Sequence, residues 1–189
     1  MRLKTPTSPA WTTAVLADLD AFLLDHAANE RKASASALAL VAHYPDRREL
    51  VERLIALAIE ELEHFRAVHE QIAARGRTLA PDVRSEYLRR LAAEFREGSG
   101  PYFLDRLATA AVVEARGCER FGLVAGALPD GDLKGFYREL ARSEVRHHEL
   151  YLRLAETYFP AAEVRTRLEE ILTLEARIVE APPIRAALY

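Results

Sequence analysis

Glu60-Glu61-Leu62-Glu63-His64-Phe65 lies inside a long helical pattern, and Ser143-Glu144-Val145-Arg146-His147 repeats its key spacing further along the chain. In each stretch a glutamate is followed three residues later by a histidine. Residues three apart share one face of a helix, so both side chains can reach the same point. In both stretches that face is the apolar one. The inward positions of the first helix read Leu50, Leu54, Leu57, Glu61, His64, Val68, and those of the second read Phe136, Leu140, Glu144, His147, Tyr151, Leu154. Two other stripes are interrupted in the same way. Glu30 breaks Leu19, Phe22 or Leu23, His26, Ala33, Ala37, Val41, and Glu114 breaks Leu104, Leu107, Ala111, Cys118, Phe121, Ala125, Leu128. A carboxylate at the centre of an apolar face carries a large desolvation cost. Four such intrusions call for a compensating charge inside, and metal ions supply one.

Helical periodicity runs through almost the whole chain, with no convincing alternating strand. The first long helix is predicted from Asp18 to about Ala42, after a shorter helical turn around Trp11. His43-Tyr44-Pro45-Asp46 reads as a turn, with Asp46 as N-cap of a second helix that runs to about Ala74 and stops at Arg75-Gly76. A shorter amphipathic helix is expected between Asp82 and Glu97, with Val83, Tyr87, Leu88, Leu91 and Phe95 on one side. Gly98-Ser99-Gly100 breaks the chain, and Pro101 suits the first turn of a third long helix. Pro129-Asp130-Gly131 is a strong turn signal. A fourth long helix extends to about Tyr158, Pro160 ends it, a last helix covers roughly Ala161 to Glu180, and Pro182-Pro183 closes the regular structure.

Four long helices make two hairpins, and the interruptions match in height. Glu30 lies 15 residues before Pro45 and Glu61 lies 16 after it; Glu114 lies 16 before Asp130 and Glu144 lies 14 after it. With a rise of about 1.5 Å per residue, each antiparallel hairpin sets its two glutamates at one level to within roughly a turn. One glutamate from each of two helices and Glu-x-x-His from each of the other two is the ferritin-like di-iron carboxylate pattern. The predicted fold is therefore all-α: a ferritin-like four-helix bundle of two antiparallel hairpins with additional short helices. It forms one domain over 1–189, with an N-terminal arm at 1–10 and a C-terminal tail at 181–189. The predicted metal ligands are Glu30, Glu61, His64, Glu114, Glu144 and His147. Four carboxylates and two neutral imidazoles offset two divalent cations, and this oxygen-rich set suits iron or manganese better than structural zinc. Glu119 rivals Glu114, because Cys118-Glu119-Arg120 echoes Asn29-Glu30-Arg31. It lies only 11 residues before Asp130 and off the seam, so Glu114 is preferred, with Glu119 near the site or paired to an arginine. His26 reads as a satisfied core histidine within reach of the metals, Cys118 as a small core residue, His43 and His69 as surface residues, and His148 as off the seam.

Composition excludes several classes. The 189 residues are 50% hydrophobic, enough for a compact core, and 29 acidic against 26 basic residues give a net charge of -3, which argues neither for nor against a nucleic-acid partner, because the field that matters is local. The one cysteine, Cys118, excludes an internal disulfide framework or a cysteine-based zinc cluster. Neither a signal peptide nor a membrane-spanning run is visible, so a cytoplasmic protein without a membrane partner is expected. Arg75, Arg77, Arg84, Arg89, Arg90 and Arg96 cluster between the hairpins against Asp82, Glu86 and Glu94, either as a phosphate-binding surface or as an ordinary solvated face.

Specific strings go further. Leu24-Asp25-His26-Ala27-Ala28-Asn29-Glu30-Arg31-Lys32-Ala33, Glu60-Glu61-Leu62-Glu63-His64-Phe65, Glu114-Ala115-Arg116-Gly117-Cys118-Glu119-Arg120-Phe121 and Ser143-Glu144-Val145-Arg146-His147 together resemble the bacterial tRNA hydroxylase family that acts on 2-methylthio-isopentenyl-adenosine. The resemblance runs from Trp11 to about Ile178, whereas Pro182-Pro183-Ile184-Arg185-Ala186-Ala187-Leu188-Tyr189 is less typical of the family. It implies a non-haem di-iron monooxygenase that uses dioxygen to hydroxylate the isopentenyl group of the hypermodified adenosine next to the anticodon in tRNA. It also implies an electron-donating reductase, since no flavin or nicotinamide fingerprint is present. Small residues such as Ala33, Ala37, Ala111 and Gly117 are where an apolar pocket would admit the prenyl tail. The alternatives are another ferritin-like di-iron oxidase acting on a small molecule and a ferritin-like iron-storage protein.

Overall fold

The computed structural model describes residues 1–181 and 183–189. Among them the regular structure is helical throughout: α1 (Pro9–Ala17), α2 (Leu19–His43), α3 (Arg48–Ala74), α4 (Glu86–Ala92), α5 (Ser99–Ala127), α6 (Asp132–Tyr158) and α7 (Ala161–Val179). Pro182, half of the expected closing signal, lies outside the described residues. The residues sort into two compact units, one of 17–83 with 186–188, the other of 1–16 and 84–185 with Tyr189.

The first unit is the α2–α3 hairpin. Asp18 caps α2, its carboxylate accepting the Ala21 N–H at 3.0 Å. The turn differs by a residue from expectation. Tyr44 N–H bonds back to Leu40 and Arg47 N–H to Tyr44, which carries the chain past Asp46. Helix α3 then starts at Arg48 with Arg47 at the cap position and no side-chain cap bond, so Asp46 is not the N-cap. Beyond Glu30 the buried face of α2 also shifts, passing through Ser34 and Leu40, while Ala33 and Val41 are only half-buried. Ser34 can be buried because its hydroxyl donates to the Ala58 carbonyl of α3 at 2.8 Å, which removes the desolvation penalty. Leu50, Leu54, Leu57 and Val68 line α3 as expected, joined by Ala58 and Ile72. The helix stops where Gly76 takes a φ of +69°, a conformation that disfavours side chains. Asp82 and Val83 do not begin the next helix. Asp82 pairs with Arg31, Lys32 donates to the Val83 carbonyl at 2.9 Å, and the Val83 side chain is 65% exposed.

The second unit is built around α5, with α6 along one side and α7 along another. Two packing partners explain why α5 is buried on most of its circumference, from Phe103 to Ala125. Helix α4 is shorter than predicted, starting after Ser85, whose hydroxyl accepts from Leu88 N–H at 3.3 Å. Its Tyr87 and Leu91 join Ala108, Val112, Ile171, Leu172 and Ile178 in one apolar cluster. In the first turns of α6 it is Tyr137 rather than Phe136 that is buried, because Tyr137 packs on Phe121 with ring centroids 5.7 Å apart. The N-terminal arm is docked here. Thr7 N–H donates to Glu119 at 3.0 Å, Lys4 to the Thr173 hydroxyl at 2.7 Å, and α1 follows with Trp11 buried beneath Arg120. No helix among the described residues is long and apolar enough to cross a membrane.

Candidate metal centre

In the α2–α3 unit, Glu30, Glu61 and His64 each offer a ligand atom within 4.8 Å of the others. His64 Nδ1 lies 3.2 Å from Glu61 Oε2 and 3.6 Å from Glu30 Oε2, so the ring turns this nitrogen toward both carboxylates. His64 Nε2 faces outward, 4.0 Å from Glu60. One turn before Glu30, the fully buried His26 brings its Nε2 to 2.5 Å from Glu30 Oε1, its ring stacked on Phe22. Burial pushes the Glu30 carboxyl up, but His26 and the hydrogen bonds from His64 and Glu61 outweigh it and hold the group well below the usual carboxylate range. Burial also pushes the His64 imidazole down, and the bonds to Glu30 and Glu61 outweigh that, raising it to about 10.

In the α5–α6 unit, Glu114, Glu144 and His147 gather in the same way within 4.8 Å. All three are buried. His147 Nδ1 faces Glu144 Oε1 at 3.7 Å, and its Nε2 lies 3.4 Å from the Ser143 hydroxyl, which accepts from Arg146 Nη2 at 2.9 Å. The six predicted residues thus form two triads of identical make-up, each a glutamate from one helix and Glu-x-x-His from its hairpin partner. Two carboxylates and an imidazole converging in a buried space fit a hard or borderline divalent cation. The Ser143 hydroxyl beside His147 Nε2 is a partner of the kind that fixes a metal-bound histidine ring.

Among the neighbours, Glu119 pairs with an arginine as expected, whereas His148 and Cys118 differ from expectation. Glu119 stands apart from the triad: its carboxylate accepts from Thr7 and pairs with Arg116. His148 is buried rather than off the seam, its Nδ1 3.3 Å from the Glu144 carbonyl. Cys118 is half-buried and donates to the Ala141 carbonyl. The roles of His26 and Ser143 beside the ligands were only partly visible in sequence; the signal was their placement one turn from Glu30 and His147. Among the clustered arginines, Arg75 and Arg77 pair with Asp20, Arg89 with Glu86 and Arg96 with Asp105. Among the described residues, Arg84 and Arg90 have no such ion pair.

The raised His64 pKa has a testable consequence for the metal-free protein. Its folded value, about 10, exceeds the unfolded value of roughly 6.5. Its contribution to stability is therefore complete below pH ~6.5 and is lost as pH rises through about 10. A metal bound through His64 Nδ1 would have to displace this proton, so apparent metal affinity would climb as pH rises toward about 10. Adding Mn(II) to metal-free protein near pH 8 should release a proton into weakly buffered indicator solution, and His64→Gln should abolish that release. Metal uptake with no proton released would show that His64 is not displaced.

Residues 1–188 match the family described as tRNA-(MS[2]IO[6]A)-hydroxylase (MiaE). The tRNA 2-(methylsulfanyl)-N(6)-isopentenyladenosine(37) hydroxylase of Pseudomonas putida is 36% identical over 177 residues, which cover 94% of this chain and 86% of the relative. The Salmonella typhimurium protein of the same name is 36% identical over 138 residues, covering 73% of this chain and 50% of the relative. Among solved structures, a Synechococcus protein described as having aldehyde deformylating oxygenase activity superposes with a TM-score of 0.94 at 38% identity, covering 98% of this chain and 93% of the other. The fold is all-α and ferritin-like.

Proposed function

The chain belongs to the tRNA-(MS[2]IO[6]A)-hydroxylase family, and we propose that it is a di-iron monooxygenase hydroxylating the isopentenyl group of the hypermodified adenosine next to the anticodon in tRNA. In this reading dioxygen is the co-substrate and a reductase supplies two electrons. With tRNA as its substrate, the enzyme of this reading works in the cytoplasm.

The observation that carries the metal assignment is the pair of like triads. Glu30, Glu61, His64, Glu114, Glu144 and His147 would together hold two iron ions. Distances from the hairpin turns that agree to within a turn support a shared centre, as does the charge match between four carboxylates and two divalent cations. When bound, the irons supply the activation of dioxygen that no side chain provides. The surrounding residues set the conditions. His26 fixes Glu30, and Ser143 orients His147 so that its Nδ1 faces the carboxylates. Leu57, one turn before Glu61, is buried in its own unit, and Leu107, Ala111 and Leu140, within about two turns of Glu114 and Glu144, are buried in theirs, which keeps bulk water from each triad. His64 would give up its proton to bind a metal through Nδ1.

The tRNA contact should be electrostatic in part. Arg89 is already engaged by Glu86, so Arg84 and Arg90 are the better phosphate contacts. Charge reversal at both should weaken tRNA binding and reduce the slope of log affinity against log salt by about 1–2. Metal content should not change. An unaltered salt slope would remove this surface from the interface.

One observation favours a second reading. The similar Synechococcus structure is described by an activity on aldehydes, which suits a small-molecule oxygenase. Iron-loaded protein with reductant and dioxygen should be offered tRNA bearing the isopentenyl group, the same tRNA lacking it, and an aliphatic aldehyde. The proposal predicts turnover of the prenylated tRNA alone. Turnover of the aldehyde with prenylated tRNA untouched would keep the metal centre and overturn the substrate.

A further inference from the structure

Gly117 sits in the interior of α5, one turn after Glu114, where glycine is unfavourable relative to alanine. The structure shows what a side chain there would meet. A Cβ at Gly117 would stand 3.0 Å from the Tyr189 hydroxyl and 3.5 Å from Glu144 Oε2. A tyrosine from the far end of the sequence and one of the metal-site carboxylates therefore border the same notch in the helix.

Tyr189 is firmly seated. Its hydroxyl donates to the Val113 carbonyl at 2.9 Å, and its ring stacks on Tyr87 with centroids 5.2 Å apart and planes 14° from parallel. Tyr87 is itself buried and donates to Glu175 at 3.1 Å. The seat is thus anchored in the core of the α5 unit. The tail around Tyr189 is the part of the chain whose role the motifs left open.

We propose that Tyr189 is a positioning residue for Glu144: its ring, seated on Tyr87 with its outer end in the Gly117 notch, walls one side of the carboxylate and keeps it turned toward Glu114 and His147. This rests on the metal-centre reading above. The glycine is what lets the phenol approach the helix backbone closely enough to do so. The notch offered as pocket lining by the sequence is consequently filled by the protein's own side chain.

The test is Co(II) binding, followed by visible absorption and equilibrium dialysis, with melting recorded on the same samples. Tyr189→Phe keeps the stacked ring and should bind Co(II) within about threefold of wild type. Tyr189→Ala should weaken binding by roughly tenfold or more, the scale seen when groups supporting a ligand are removed. Gly117→Ala should weaken it too, although alanine favours the helix, because its Cβ meets the hydroxyl at 3.0 Å. The double variant Gly117→Ala/Tyr189→Ala should be no weaker than Tyr189→Ala, since the closest neighbour has gone. If Tyr189→Ala only lowers the melting temperature and leaves Co(II) affinity unchanged, or if Gly117→Ala binds like wild type, the proposal is overturned. If wild-type protein binds no Co(II), the metal reading itself fails and this inference falls with it.

Discussion

His147→Ala should remove metal from the protein and lower hydroxylation by more than about a hundredfold. Loss of groups that merely support a ligand costs 10–100-fold in affinity or activity in known sites, and a ligand contributes more. The circular dichroism should stay helical, because α6 keeps Tyr137, Leu140, Tyr151 and Leu154 in the core. Its sharpest control is the pair Glu114→Ala and Glu119→Ala. Glu114 gathers with Glu144 and His147, whereas Glu119 is occupied by Thr7 and Arg116. Glu114→Ala should empty the site, and Glu119→Ala should loosen the N-terminal arm and leave metal bound. The reverse pattern would assign the wrong carboxylate to the centre.

Arg116→Met should cost about 3–5 kcal/mol of stability, the scale for removing one partner of a buried ion pair. Arg116 and Glu175 are both fully buried, and the guanidinium grips the carboxylate through Nε at 2.7 Å and Nη2 at 2.9 Å. Burial pushes the Arg116 pKa down, and Glu175 and Glu119 outweigh it, so the charge persists. Nη2 also donates to the Thr5 carbonyl at 2.8 Å and Nη1 to the Thr7 hydroxyl at 3.1 Å, so one side chain ties α5 to α7 and to the arm. Without it Glu175 stays buried, with the Tyr87 hydroxyl as its remaining hydrogen-bond donor among the described residues. In a chain of this length the melting temperature should fall by roughly 10 °C. Arg116→Met/Glu175→Leu should recover most of the loss, because the uncompensated charge has gone. A single variant that melts within a degree or two of wild type would show that the pair adds little.

The contrast between these two predictions marks what the sequence could reveal. The triads were legible because Glu-x-x-His repeats at helical spacing on apolar stripes, and because Pro45 and Asp130 mark the hairpin turns from which height is counted. Gly76, Ser99 and Pro160 likewise punctuate helices at or near their observed ends. The Arg116–Glu175 pair was not legible, since its members are 59 positions apart and each looks like a surface charge on an amphipathic helix. Ser34 displaced Ala33 from the seam for a similar reason: a hydroxyl reads as outward-facing until its acceptor, the Ala58 carbonyl, is known. Asp46 looked like a cap because capping residues are identified by type, while the actual start of α3 was set by the backbone bonds around Tyr44. Tyr189 carried no periodic signal at all. Its partners, Tyr87, Val113 and Gly117, are assembled only by the fold.

Whether the two triads act as one centre is tested most directly by electron paramagnetic resonance of the iron-loaded, air-oxidised protein, with iron counted on the same sample. A shared site predicts two irons per chain and a silent spectrum, because two closely coupled ferric ions would pair their spins to zero. His64→Ala or His147→Ala should lower the count. Iron accounted for by the signal of isolated high-spin ferric ions in the wild-type protein would mean that each triad binds alone, and the di-iron account would be wrong.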